Sequence, residues 1–418
     1  MERLVTSDFK LGIIAGGQLG KMLALAASQW DVKTYILDSD PHCPASTVCT
    51  RLLQGDYRDL HAVYEFGHLV DMVTFEIENV NIEALQKLKS EGSRICPDPD
   101  VLAMIQDKGR QKQFFHRQAI PTPAFTLYEG REQILRAVDD GRLEVPFVQK
   151  ARTAGYDGKG VIVVRSRDDL GRLLDAASVV EDAVDVEKEL SVIVARNRRG
   201  QIACFPPVEM VFNADANLVE MLISPAQVDG SIERKATELA CQIPAECDLH
   251  GILAVELFLD RAGDLWVNEI SPRPHNSGHH TIESALTSQY EQHLRAIFNF
   301  PLGSTELKRP AVMLNLLGAK GYEGPVQYKG VTESMALPGV KIHIYGKRKT
   351  WPFRKMGHVT VVAPTIEQAR QHATRVKQIL KVQSWEDRKQ ASSWAPTPIS
   401  PSCGRRRTSL GNSTSPTN

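Results

Sequence analysis

The sequence predicts an α/β domain followed by an α+β domain, and three observations carry that expectation. Over residues 1–100 short apolar runs alternate with helical patterns, as in a parallel, doubly wound sheet. Farther along, strand-like runs are joined mostly by short turns, which suits antiparallel pairing. Residues 383–418 turn to Ser, Pro, Thr and Arg with few large apolar side chains, a composition that marks disorder.

Residues 11–15 read as the first strand, followed by the turn Gly16-Gly17-Gln18-Leu19-Gly20 and a helix over 21–28. Strands are expected at 33–37 and 71–75, and a helix over 101–118 leads out of the first domain. The middle region, 101–305, carries strand signals at 145–150, 161–165, 187–195, 251–260 and 265–270, and helical patterns at 131–139 and 168–177. A small strand-rich domain spans 306–382 and ends in a helix over 365–380.

Composition narrows the function. The 418 residues are 42% hydrophobic and 24% charged, which suits a soluble globular chain with several cores. Fifty basic residues balance fifty acidic ones, so no global field attracts nucleic acid or an anionic membrane. Seven cysteines without a C-x-x-C pair point to reduced thiols in a cytoplasm rather than a disulfide framework. The N-terminus lacks an apolar signal core, and no apolar run approaches the roughly 20 residues that span a bilayer.

Two glycine loops invite phosphate. The first, Ala15 to Gly20, lies between a strand and a helix, where backbone N–H groups favour an anion; a tight packing turn is the alternative. Ala15 stands where a dinucleotide fingerprint wants glycine, which weakens a nicotinamide dehydrogenase reading. The second loop, residues 150–160, joins two strands. Lys150, Arg152 and Lys159 accompany Gly155, Gly158 and Gly160, a pattern suited to a lid over phosphates or else to a mobile surface hairpin.

The strongest deduction concerns two carboxylates. If Asp260 faces Leu265 across the turn 261–264, counting back sets Glu256 directly opposite Glu269. Like charges so paired destabilise a sheet unless a cation lies between them. Magnesium takes one or two carboxylates plus phosphate oxygens, and Asn268 adds another oxygen nearby. The alternative is that both carboxylates face solvent. After Glu269 comes a loop crowded with Arg273, His275, Asn276, Ser277, His279 and His280, suited to ligand recognition; zinc lacks thiolates and helical spacing here. Lys347, Arg348, Lys349, Arg354 and Lys355 form a further basic cluster.

These motifs resemble the 5-(carboxyamino)imidazole ribonucleotide synthases of the ATP-grasp superfamily. The resemblance rests on Gly-Gly-Gln-Leu-Gly, Phe75-Glu76-Ile77-Glu78-Asn79-Val80, Gly155-Tyr156-Asp157-Gly158-Lys159-Gly160, Asn268-Glu269-Ile270-Ser271-Pro272-Arg273 and His275-Asn276-Ser277-Gly278-His279, collinear over 10–382. It implies an ATP-grasp fold with an N-terminal Rossmann-like (pre-ATP-grasp) domain and a small C-terminal strand-rich domain. It also implies ATP- and bicarbonate-dependent carboxylation of 5-aminoimidazole ribonucleotide through carboxyphosphate, in purine synthesis.

By that resemblance ATP is held by Lys108 and Lys150, by the lid Gly155, Tyr156, Asp157, Gly158, Lys159, Gly160 and Val161, and by the hinge Glu181, Asp182, Ala183 and Val184. Glu189, Asn213, Asn268 and Glu269 complete that set. Glu256 and Glu269 would bind Mg2+, and Lys150 and Arg273 are the implied catalytic groups. The ribonucleotide would meet Gln18, Tyr156, Asp157, Arg273, His275, Asn276, Ser277, Lys347 and Arg354. Lys108 replaces an arginine of several members, Asn213 aligns with a histidine, and the basic C-terminal motif is one residue longer. The resemblance further implies a cytoplasmic homodimer.

Three rivals have distinguishing signs. A formate-using glycinamide ribonucleotide transformylase lacks the His275 to His279 pattern, a sensor that does not turn over would not keep the complete set of carboxylates and lysines, and a dehydrogenase leaves the middle domain unexplained. Read from the third base of each codon, with codons chosen freely, residues 391–404 can spell the opening strand of the mutase that acts next. The tail is therefore expected to be an out-of-frame reading of an adjoining or fused gene, with a functional link to that mutase.

Overall fold

The computed structural model describes residues 8–153, 160–213 and 218–385. The chain divides into two units, Met1–Ser384 and Trp385–Asn418, and every strand among the described residues belongs to the first. The expectation of a disordered, out-of-frame tail falls outside the described residues, apart from its first three positions.

The first domain carries four strands: β1 (Lys10–Ile14), β2 (Lys33–Asp38), β3 (Arg51–Gln54) and β4 (Met72–Phe75). They form one parallel sheet in the order β3-β2-β1-β4. Edge strand β3 went unforeseen because its four residues are exposed or half-buried and show no alternation. The helix Gln18–Ser28 buries Leu19, Met22, Leu23 and Ala27 in a core shared with Tyr290, Leu294 and Phe298 from a much later segment.

The single helix expected over 101–118 is two, Pro99–Gln106 and Lys108–Arg117. Asp107 between them has ψ 105°, and its carboxylate accepts the N–H groups of Gly109 (2.8 Å) and Arg110 (3.2 Å). An aspartate that bonds the backbone ahead of it starts a helix more readily than it continues one.

Next come β5 (Phe125–Tyr128), β6 (Phe147–Ala151), β7 (Val161–Val164) and β8 (Ser178–Asp182), an antiparallel sheet ordered β5-β8-β6-β7. The helix expected at 168–177 is a 3-10 turn, Arg167–Arg172, followed by five irregular residues before β8. Ser166 and Asp169 form a reciprocal capping box, a helix-start signal, but Leu173 is extended (ψ 138°) and stops the helix after two turns.

The remaining strands are β9 (Val186–Arg196), β10 (Ile202–Cys204), β11 (Val208–Asn213), β12 (Leu218–Ser224), β13 (Gly251–Asp260), β14 (Leu265–Ser271), β15 (Ala311–Leu317), β16 (Gly324–Lys329), β17 (Val340–Ile344), β18 (Lys349–Thr350), β19 (Lys355–Val362) and β20 (Lys381–Ser384). Nine of them make one sheet, β14-β13-β9-β11-β12-β15-β19-β17 with β10 on β9. The C-terminal strands therefore extend the middle sheet through the β12–β15 pairing, and only β18-β16-β20 stands as a small separate sheet. The helix Gly230–Glu246, also unforeseen, lays Ala236, Ala240 and Ile243 on Leu253, Val255 and Leu257 of β13. With one face of β13 so covered, Glu256 and Phe258 lie on the other.

Cys204 and Cys241 are joined as a disulfide between β10 and that helix, contrary to the expectation of reduced thiols throughout. Thirty-seven residues separate them in sequence, so only the packing brings them together. Among the described residues no helix is long and apolar enough to cross a membrane.

Candidate active site

Glu256 and Glu269 are direct partners across β13 and β14, but not by the register the sequence suggested. The turn is one residue longer: Leu259, not Asp260, faces Leu265. Gly263 takes the left-handed conformation (φ +86°), and Asp260 accepts the N–H groups of Ala262 and Asp264 at 2.9 Å each. A bulge at Asn268 then adds one residue to β14, and from there Glu256 meets Glu269. On its other side Glu256 pairs with Ser191 of β9.

Cations gather on these carboxylates. The Lys108 ammonium, at the start of its helix, binds the Glu269 carboxylate. Lys150 Nζ donates to Asn268 Oδ1 (2.7 Å) and pairs with Glu181 Oε2 (2.8 Å). The Lys108 charge holds Glu269 well below the usual carboxylate range, whereas burial, reinforced by Glu269 and Glu189, pushes Glu256 up. Burial likewise raises Glu189 to about 7. Burial alone would raise Glu181, but the Lys150 and Lys112 charges reverse it and hold the group low.

Facing carboxylates, one with a side-chain cation on it and one driven toward protonation, are what a hard divalent ion relieves. Among the described residues no group of three or more His, Cys, Asp and Glu forms a metal cage. The donor set therefore fits magnesium shared with ligand phosphates, not zinc.

Arg152, the foot of the expected lid, is clamped bidentately by Asp107 (2.7 and 3.0 Å), and its carbonyl accepts the Lys108 N–H (2.9 Å). Gly160 adopts φ +81°, and Val161 pairs with Lys150 where the strand resumes. Gly155, Tyr156, Asp157, Gly158 and Lys159 lie outside the described residues. Glu181 and Asp182 end β8, Ala183 and Val184 lead into β9, and Glu189 lies on β9 opposite Phe258. Asn213 ends β11, its amide 3.3 Å from Glu220.

The loop after Glu269 is heavily braced. Arg273 pairs with Glu78 (2.7 Å), tying it to the first domain. The His275 ring reaches Glu256 with Nε2 (3.4 Å) and Ser277 Oγ with Nδ1 (2.9 Å). Ser277 in turn bonds Ser191 (2.7 Å), and Asn276 exchanges two amide hydrogen bonds with Asn315 (2.8 and 2.9 Å). Gln289 brackets the His275 backbone, and a Cβ at Gly278 would fall 2.3 Å from its amide oxygen, so only glycine fits there. His279 is buried against Tyr290 (2.9 Å) and His358, which keeps it neutral.

The first glycine loop departs from its anion-site reading. Glu76 already occupies the helix N-terminus, accepting from Gly17 (2.6 Å), Leu19 (3.1 Å) and Gly20 (3.2 Å), while Asp38 accepts from Gly16 (2.7 Å). Its glycines are needed for close approach: a Cβ on Gly17 would lie 2.4 Å from Glu76. A remote carboxylate thus caps the helix, and no local spacing signals it. Burial raises Glu76 to about 7. Gln18 opens that helix, half-buried.

The basic cluster joins from β17 to β19. The Arg354 guanidinium lies over Trp351 (3.7 Å) within electrostatic reach of Asp40 of the first domain, and Lys347 Nζ donates to the Lys355 carbonyl (2.8 Å). Lys355 acts electrostatically on Glu256, so this cluster borders the carboxylates.

The ribonucleotide synthetase preATP-grasp domain matches residues 9–106, the ATP-grasp domain 113–290, and the phosphoribosylaminoimidazole carboxylase C-terminal domain 311–372. The Bacillus subtilis N5-carboxyaminoimidazole ribonucleotide synthase is 36% identical over 84% of this chain and 90% of its own length. The chain belongs to the N5-carboxyaminoimidazole ribonucleotide synthase family. It has the ATP-grasp fold and is a ligase. The synthetase of that family from Thermotoga maritima superposes with TM-score 0.83 at 42% identity, covering 90% of this chain and 99% of the other. An Aspergillus clavatus synthase solved with ADP and 5-aminoimidazole ribonucleotide gives 0.82 at 31% identity, over 89% and 99%. The chloroplastic phosphoribosylaminoimidazole carboxylase of Vigna aconitifolia is 37% identical over 85% of this chain, which spans 64% of that longer protein. This family membership displaces the transformylase and dehydrogenase readings.

Proposed function

We propose that this chain uses ATP and bicarbonate to carboxylate the exocyclic amine of 5-aminoimidazole ribonucleotide, with carboxyphosphate as intermediate, in purine synthesis. The observation that carries the reading is Glu256 opposite Glu269, with Lys108, Lys150 and Asn268 converging on them. Glu256 and Glu269 would hold Mg2+, which when bound supplies positive charge to the nucleotide's phosphates.

Bicarbonate is a poor electrophile and is activated by attack on the γ-phosphate. Lys150 and Lys108 lie where they can offset charge on the transferred group. Glu181 to Val184 and Glu189 frame the nucleotide, Gly160 and Val161 end the lid, and Asn213 is assigned to ATP more loosely. Arg273, His275, Asn276 and Ser277 orient the ribonucleotide, with Lys347 and Arg354 on its phosphate side and Gln18 closing from the first domain. The lid residues 155–159 would keep water from the carboxyphosphate.

The domain boundaries follow as 1–100, 101–305, 306–382 and 383–418. A cytoplasmic homodimer and a link to the next-step mutase complete the proposal. The test is coupled ADP release with 5-aminoimidazole ribonucleotide and bicarbonate, repeated with formate and glycinamide ribonucleotide. Turnover only with the first pair is expected; ADP release that ignores aminoimidazole ribonucleotide would sink the assignment.

A further inference from the structure

Lys112 has no part in the roles assigned so far, yet it is one of the largest fully buried side chains of the protein, at 2% exposure. It lies one helical turn beyond Lys108. Its ammonium stands 3.1 Å from Glu181 Oε1, beside the Thr122 hydroxyl and 3.4 Å from the Val267 carbonyl. Glu181 is itself 2% exposed, with Lys150 on its other oxygen at 2.8 Å. A carboxylate at the head of the hinge is thus held between two ammonium groups.

Such a buried lysine is costly, and apolar residues of similar volume often replace buried ion pairs without loss. Stability therefore gives little reason to keep it. Glu181 Oε1 is buried with the Lys112 ammonium 3.1 Å away and no other partner among the described residues, which leaves a lone pair for a donor on the ligand. Flanked by two cations, the group stays ionised, and an ionised carboxylate only accepts hydrogen bonds. It would attract the 6-amino group of adenine and repel a 6-oxo group in the same place.

We propose that Lys112 is a positioning residue for nucleotide choice: it holds Glu181 as a pure acceptor that admits 6-amino and rejects 6-oxo purine triphosphates. This rests on the reading of 181–184 as the adenine hinge.

The experiment compares kcat/KM for ATP and ITP, which differ in the purine 6-substituent and with it in whether N1 accepts or donates, in the full-length enzyme. Lys112→Met should raise KM for ATP, leave KM for aminoimidazole ribonucleotide unchanged, and shrink the ATP-to-ITP preference by at least about tenfold, since a site built on one polar contact discriminates strongly through it. Glu181→Gln, whose amide both donates and accepts, should shrink it too. An unchanged preference in Lys112→Met with only a lowered Tm overturns the proposal. An unchanged preference in Glu181→Gln overturns the hinge reading beneath it. Should Lys112→Met fail to fold, Thr122→Val removes the hydroxyl that orients the ammonium; a smaller shift in the same direction supports the proposal and none overturns it.

Discussion

Glu189, Glu256 and Glu269 act electrostatically on one another, and the Lys108 ammonium binds only the last of them. Glu269→Gln removes the charge that the resident lysine now satisfies. The expected result is a fall in kcat of roughly 100- to 1000-fold, the scale seen when one charge-stabilising group is lost, together with weaker Mg2+ dependence of ADP release. A variant turning over at the parent rate would dissolve the metal assignment.

Glu76 gives a second residue-scale expectation. Its folded-state pKa, about 7, lies above its ordinary 4.5, so the folded state binds the proton more tightly. Its contribution is fully present below about 4.5 and is lost as pH rises through 7. In chemical denaturation across that window, Glu76→Gln should lose this part of the pH dependence relative to the parent. Parallel curves for parent and variant would contradict it.

Among elements, the helix Lys108–Arg117 does two jobs through one cap. Asp107 satisfies its first N–H groups and clamps Arg152 at the foot of the lid. Asp107→Ala should cost about 1 kcal/mol as a lost cap and also raise KM for ATP. Asp59 caps the helix Leu60–Gly67 by the same contact, to Ala62 at 2.8 Å, in the first domain. Asp59→Ala should lower Tm comparably with KM for ATP unmoved; equal KM values in the two variants would deny the clamp its role. The same helix marks a limit of pattern reading: apolar periodicity continues through Asp107, so one helix was expected where the side chain makes two. At β13–β14 two local misreadings cancelled, a turn longer by one residue and a bulge at Asn268, leaving Glu256 opposite Glu269.

At the scale of the whole molecule, buried histidines bond both within one turn and between segments. His293 reaches Thr74 of β4 (3.0 Å), His280 bonds Ser284 (2.8 Å), and His358 stacks on His343 (4.4 Å). Burial lowers His280 and His293 to about 3, against an ordinary 6.5. The unfolded chain therefore takes up protons first: their stabilisation is present above about 6.5 and lost as pH falls toward 3. His293→Gln should reduce the slope of unfolding free energy against pH between those values. An unaltered slope would mean that His293 charges within the folded protein.

The sequence alone determined what local chemistry can express. Alternating apolar runs specified the parallel first sheet, the strand lengths of β13 and β14, and the helix Arg131–Asp139, because periodicity records which face will be buried. The clustered motifs named the family because recognition chemistry sits in contiguous loops. Only the tertiary structure decided that Glu76 fills the first glycine loop, that Lys112 flanks Glu181, that Cys204 meets Cys241, and that the C-terminal strands join the central sheet. Each of those contacts joins residues tens of positions apart, where the partner is chosen by packing and charge balance in three dimensions and leaves no spacing to read.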